Sequence, residues 1–143
     1  MERSGIDFEV SMDENLGSVL VDAEQIEQVV VNLLCNAREA ATSRVTLRAR
    51  RESDPAGDDR PARVVLEVAD DGAGVRPELH ERIFEPFFTT KAQGTGLGLA
   101  IARDLARLNG GEVELYESSP RGTTFALYLV EADGPHALGD ALS

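Results

Sequence analysis

Tryptophan is missing from this 143-residue chain, tyrosine occurs twice and cysteine once. A single thiol, Cys35, cannot form an internal disulfide, and no Cys/His cluster suggests zinc. A reducing cytosol fits this usage. Cys35 sits in an apolar helical pattern and is expected to be a small buried hydrophobe. Membrane-length apolar runs are also lacking: Val29-Val30-Val31 is cut at once by Asn32. Residues 6–12 alternate with Asp7, Glu9 and Ser11, which is no secretory signal pattern. Basic residues are scarce. Lys and Arg number 14 against 26 Asp and Glu, a formal net charge of −12. That balance argues against a nucleic-acid surface. It also sets a condition on any phosphate ligand, which must be held by local donors (helix N-termini, Lys91, a divalent metal) against the field of the whole chain.

What is present suits one folded domain. The chain is 42% apolar and 28% charged, and long enough to bury a core. One domain is expected over residues 1–131, with a small, polar, disordered tail over 132–143. Residues 6–12 read as a strand. Asp22 opens a helix running to about Ala41, with Gln25 completing a capping box. Its apolar stripe is Ile26, Val29, Val30, Leu33, Leu34, Ala37 and Ala40. Residues 44–51 and 63–69 alternate as strands, joined by a polar loop over 52–61. Residues 70–96 lack a sustained period, apart from a short helix from Pro77 to about Ile83. A clear helix over 97–108 stops at Asn109-Gly110-Gly111. Residues 112–117 and 123–130 form a last pair of strands. This order predicts an α/β (α+β) two-layer sandwich, a mixed, mainly antiparallel sheet covered by helices. A doubly wound dinucleotide fold is excluded, because strand–helix alternation is missing and no Gly-x-Gly-x-x-Gly follows the first strand.

Four stretches carry chemistry. Asn32 and Asn36 lie four apart and project from one helix face. An amide oxygen suits a magnesium ion whose charge phosphates already balance; the plain alternative is a pair of surface amides. Asp70-Asp71-Gly72-Ala73-Gly74 leaves a strand directly. It reads either as a tight turn or as a base pocket, in which a buried carboxylate accepts from the amino group of adenine and rejects the carbonyl of guanine. Ile83-Phe84-Glu85-Pro86-Phe87-Phe88 is either a satellite core or the anchor of a lid. In Thr89-Thr90-Lys91-Ala92-Gln93-Gly94-Thr95-Gly96-Leu97-Gly98-Leu99, glycines run into a helix N-terminus, an arrangement that holds phosphate, with a Lys just ahead of it.

In this order the four stretches resemble the ATP-binding catalytic domain of sensor histidine kinases, within the wider family that includes DNA gyrase and the mismatch-repair ATPases. Residues 32–40 look like the asparagine box, 70–74 like the first glycine box, 84–91 like the phenylalanine box and 94–99 like the second glycine box. The resemblance implies a Bergerat ATP-binding fold, ATP and Mg2+. It implies that Asn36 binds magnesium and Asp70 holds the adenine amino group. Gly72 and Gly74 would shape the base pocket. Gly94, Thr95, Gly96, Leu97 and Gly98 would cradle the phosphates, with Lys91 as a lid contact. Thr123 would support adenine through a hydroxyl or a water. Hydrolytic members carry a general-base Glu where this chain has Asn32, and a neutral amide cannot take a proton from water. Phosphoryl transfer to a protein nucleophile is therefore favoured, with Asn32, Asn36 and Lys91 as the catalytic set. Glu39 stands where many relatives carry a basic residue, so phosphate contacts would rest on Lys91, Arg82 and the helix N-terminus at Leu97.

The expected acceptor is a histidine on a dimerisation domain of the same kinase. Only His80 and His136 occur here. His80 reads as a solvent-exposed lid residue and His136 falls in the tail. The chain is thus expected to be a piece of a larger kinase, cytoplasmic in location, whose parent is either free or membrane-anchored. A response regulator would act downstream, and neither nucleic acid nor membrane would touch this domain. The alternatives are an anti-sigma-type serine kinase and a nucleotide-binding module without transfer.

Overall fold

A computed structural model of the protein describes residues 5–53, 62–88 and 97–132. The first helix, α1 (Ala23–Ala40), begins where the sequence places it: Asp22 stays extended and its Oδ1 accepts the Gln25 N–H at 3.0 Å. Val29, Leu33 and Ala37 form its buried line, flanked by half-buried Ile26, Val30 and Leu34. Ala40, at the helix end, is exposed. Cys35 is exposed too, contrary to the expectation of burial. It follows Leu33 by two residues, about 200° around the helix, and so faces away from the core.

Five strands form one sheet: β1 (Asp7–Met12), β2 (Arg44–Glu52), β3 (Arg63–Asp70), β4 (Glu112–Ser119) and β5 (Gly122–Val130). Their order is β1-β2-β3-β5-β4. β1 pairs parallel with β2, and α1 is the crossover that a parallel pair requires. All other pairings are antiparallel, as expected of a mixed, mainly antiparallel sheet. The second helix, α2 (Gly98–Leu108), ends in a Schellman motif. Gly111 N–H donates to the Ala106 carbonyl and Gly110 N–H to that of Arg107.

Both helices cover the same face of the sheet. There Val29, Leu33 and Ala37 of α1 and Ala102 and Ala106 of α2 meet Val45, Val64, Val68, Val113, Phe125, Leu127 and Leu129. The small residues of α2 let its backbone lie close to the sheet. On the other face Val65, Ala126 and Tyr128 are buried without a covering helix. Long charged side chains shield them. Arg50 bonds Glu67 at 2.9 Å and Glu52 at 3.0 Å, and Arg63 lies 4.2 Å from the centre of the Tyr128 ring. No helix among the described residues is long and apolar enough to cross a membrane.

Between β3 and α2 the expected short helix from Pro77 to Ile83 is absent. Two 3-10 turns, Pro77–Leu79 and Arg82–Phe84, stand in its place. Neither has a side-chain cap, and Ile83 and Phe84 are pulled into the core, so contacts with the core rather than helical propagation set this backbone.

Candidate nucleotide-binding site

At one end of the sheet, register places Val45 of β2, Asp70 of β3, Thr123 of β5 and Ser118 of β4 in one row across four strands. Strand alternation puts the row on the helix-covered face, continuous with Val68 and Phe125. Asp70 and Thr123 are the buried polar residues of the described chain, 8% and 5% exposed. Asp70 Oδ1 accepts the Gly72 N–H at 2.8 Å. Thr123 Oγ1 lies 3.1 Å from Ser118 Oγ, which also accepts the Val75 N–H at 2.7 Å. A carboxylate acceptor and a hydroxyl thus stand side by side, both held by the loop that follows β3.

That loop cannot carry side chains at two of its positions. A Cβ at Gly72 would sit 2.1 Å from the Ala40 carbonyl oxygen at the end of α1. Gly74 has a φ of +86°, and a Cβ there would sit 2.1 Å from the Ser119 carbonyl oxygen. The first contact draws the loop against α1 and the second draws it against β4.

Adjacent Asp71 has a different task. Its Oδ1 accepts the backbone N–H groups of Thr42, Ser43 and Arg44, and its Oδ2 accepts the Ser43 hydroxyl at 2.6 Å. The Ser43 hydroxyl, with these N–H groups, holds the carboxyl well below the usual carboxylate range. Asp71 thereby ties the end of β3 to the turn between α1 and β2. The sequence reading missed this role. The only available signal was the unpaired backbone after α1, which names no partner.

Asn32 and Asn36 flank the buried line of α1 on the same side. Asn32 Nδ2 donates to the Gly98 carbonyl at 3.1 Å, and its Oδ1 accepts from Gln28 Nε2 at 2.6 Å. It therefore joins the middle of α1 to the start of α2. A second amide joins the opposite ends of the helices. Asn109 Oδ1 accepts the Asp22 N–H at 2.8 Å, and its Nδ2 donates to Gln25 Oε1 at 2.9 Å and to the Leu105 carbonyl at 2.8 Å. The helices thus run antiparallel with both ends clamped, and the N-terminus of α2 lies beside the asparagine face of α1. Leu97, the residue before α2, supplies no side-chain cap, and a Cβ at Gly98 would meet no described atom within 4 Å. Asn36 lies one turn beyond Asn32, half-buried, and one turn before Ala40, against which Gly72 packs.

The aromatic stretch divides. Phe84 meets Phe125 edge to face at 6.0 Å, with the Arg103 guanidinium 3.7 Å from its ring centre. Phe88 is half-buried beneath Arg82, 4.6 Å away, while Phe87 is exposed at a φ of 69°. Arg82, a candidate phosphate contact, also lies 3.7 Å from Glu85. His80 is not the solvent-exposed residue expected. It is half-buried and its Nε2–H donates to the Val75 carbonyl at 2.9 Å. Lys91, Gly94, Thr95 and Gly96 lie outside the described residues, as do His136 and the tail from 133 onwards.

The sequence pattern of the histidine kinase-, DNA gyrase B-, and HSP90-like ATPase family matches residues 21–133. The chain belongs to this family. Within it the kind is the ATP-binding catalytic domain of sensor histidine kinases. The nucleotide-free catalytic domain of the histidine kinase ThkA is 35% identical, with a TM-score of 0.67 over 89% of this chain and 80% of that one. Full-length ShkA, solved with AMPPNP, is 31% identical with a TM-score of 0.73 over 92% of this chain. The two-component sensor PprA of Pseudomonas aeruginosa is 50% identical over 94 residues, 64% of this chain. The chain spans 10% of PprA and 27% of ShkA, so those proteins are several times longer than this histidine kinase-type ATPase domain.

Proposed function

We propose that this domain binds Mg-ATP between the asparagine face of α1 and the segment leading into α2, and donates the γ-phosphoryl group to a histidine on the dimerisation domain of its kinase. The observation that carries the reading is the buried Asp70–Thr123 pair at the sheet end. A carboxylate in so buried a place needs hydrogen-bond donors, and the amino group of adenine would be one beside the Gly72 N–H. In this reading Gly72 and Gly74 shape the base pocket by letting the loop close on α1 and β4, and the start of α2 at Leu97 and Gly98, together with Lys91, Gly94, Thr95 and Gly96, takes the phosphates.

The chemistry of the donors suits magnesium delivered with the nucleotide. Among the described residues no group of three His, Cys, Asp or Glu side chains could hold a cation alone. Asn36 would contribute one neutral oxygen to an ion whose charge the phosphates balance. When bound, the ion neutralises phosphate charge, which the acidic chain cannot do. Asn32 takes the position of a general base without basic capacity, and its amide holds Gly98. Water is therefore not activated, and the domain positions the phosphoryl group for an incoming imidazole nitrogen. The P–O bond to ADP breaks, the P–N bond forms and ADP leaves. A response regulator is the proposed downstream partner, and the cytoplasm the proposed location.

The test uses the kinase with its dimerisation domain in place and γ-labelled ATP. The expected product is an acid-labile, alkali-stable phosphoprotein, and Asn36→Ala should abolish magnesium-dependent nucleotide binding. An acid-stable phosphoester would overturn histidine as acceptor, and retained affinity would remove Asn36 as the metal ligand.

A further inference from the structure

We infer that Glu39 couples nucleotide binding to the metal: its carboxylate faces the phosphate region, disfavours ATP that carries no cation and favours the magnesium complex. The inference rests on the reading of the asparagine face of α1 as the nucleotide site and adds a specificity-determining residue to it.

Two hydrogen bonds fix which flank of α1 is turned toward α2. Gln25 Oε1 accepts from Asn109 Nδ2 at 2.9 Å, and Asn32 Nδ2 donates to the Gly98 carbonyl at 3.1 Å. Gln25 and Asn32 are seven apart, and seven helical steps return to within about 20° of the same direction. Glu39 is seven residues beyond Asn32 on the same helix, so it stands on that line. Asn36 is its i,i+3 neighbour, with Cβ atoms about 5–6 Å apart. Asn32 already lies opposite the first residue of α2. At 1.5 Å per residue, Glu39 lies about 10 Å further along α1 and looks past the start of α2. The residue after it, Ala40, is the one whose carbonyl Gly72 packs against. Glu39 is therefore exposed between the start of α2 and the loop after β3, the stretch given to the nucleotide in that reading.

Charge decides what a carboxylate does there. Magnesium cancels about two of the roughly four negative charges on ATP. A carboxylate beside the phosphates repels the free nucleotide about twice as strongly as the complex, and it attracts the ion itself. Asn36 is neutral and cannot make this distinction. A basic residue in place of Glu39 would favour the free form instead. The net charge of −12 does not produce the effect, because charges further off than about 10 Å are screened at 0.1 M salt. Nor do the two aspartates of the loop: Asp70 is buried on the Gly72 N–H, and Asp71 holds the turn before β2. At about 6 Å in a half-aqueous dielectric, after screening, one unit charge on another shifts an equilibrium about threefold.

The experiment measures ATP affinity by calorimetry at about 0.1 M salt, once with excess magnesium and once with a chelator. The proteins are wild type, Glu39→Gln, Glu39→Lys and Glu27→Gln. The ratio of affinity with magnesium to affinity without it should fall about tenfold in Glu39→Gln and about a hundredfold in Glu39→Lys, for two units of nucleotide charge meeting a change of one or two units on the protein. Much of the fall should come from tighter binding of metal-free ATP, a gain that misfolding cannot produce. Glu27 is exposed on the same helix, about 18 Å back and about 120° around. Glu27→Gln makes the same change in net charge and should leave the ratio as in wild type. An unchanged ratio in Glu39→Gln, with magnesium-ATP still bound, would overturn the inference and leave the nucleotide site standing. An equal fall in Glu27→Gln would also overturn it, by assigning the effect to net charge. Absence of magnesium-ATP binding by wild type at millimolar concentration would remove the site and the inference together.

Discussion

Removing the Asn109 side chain should loosen the two helices from each other at the end far from the Asn32–Gly98 contact. Asn109→Ala deletes the acceptor for the Asp22 N–H and the donor to Gln25 Oε1 and Leu105 O. The Leu105 carbonyl is exposed to this loss because the Asn109 backbone N–H has turned to Ala106 instead. At about 1 kcal/mol net per bond, and with the half-buried site letting water recover part of it, the expected cost is roughly 2 kcal/mol. That is a large share of a typical domain stability of about 5–15 kcal/mol. Urea unfolding followed by circular dichroism measures it, with an unchanged m-value showing that the compactness of the end states has not altered. Gln25→Ala should cost less, since it removes only one of the three bonds. The double variant should then be less destabilised than the sum, because both single changes delete the same contact. A loss below about 0.5 kcal/mol for Asn109→Ala would show that the clamp contributes nothing, and strict additivity with Gln25→Ala would remove the Asn109–Gln25 contact from it.

Phe84→Ala should cost about 3–5 kcal/mol, since it empties the contact with Phe125 and strips Arg103 of its ring partner; a loss under about 1 kcal/mol in the same unfolding assay would contradict the assignment of Phe84 to the core. Acid should weaken the tie that Asp71 makes. Its folded-state pKa is lowered, so the contribution is complete above the unfolded carboxylate value of about 3.9 and is lost as pH falls through the folded value. The Tm gap between wild type and Asp71→Asn should therefore be steady from pH 7 to about pH 5 and shrink at pH 3 and below. A gap that grows in acid would reverse the sign and refute the argument.

Much of the architecture was legible because its signals are local. Asp22 with Gln25 marks a helix start by side-chain reach, and Asn109-Gly110-Gly111 marks a helix end by backbone freedom. Alternation over 44–51 and 63–69 marks strands by which face is apolar. The stretch from Asp71 to Phe88 was less legible. Its short helix became two 3-10 turns, since Ile83 and Phe84 answer to Phe125 and Arg103, residues far along the chain. Cys35 was misjudged because apolar neighbours in sequence are not neighbours on a helix face. His80 was expected to be solvent-exposed, yet it is half-buried and held by a carbonyl five residues earlier.

The order of the four motifs, all within reach of a reader of one line of letters, determined the family and with it the ligand class. Spacing alone placed Asn32 and Asn36 on one face and put a carboxylate at the end of a strand. The family resemblance already singled out Asp70 of the two neighbouring aspartates, but only the tertiary structure showed what each one touches. Strand alternation sends Asp70 under the helices and leaves Asp71 to the turn over residues 41–44. Likewise only strand register set Ser118 beside Thr123, and only the antiparallel contact of α1 with α2 brought Asn32 to Gly98. These are contacts between groups distant in sequence, whose geometry depends on how whole elements pack, and local propensity carries no information about that.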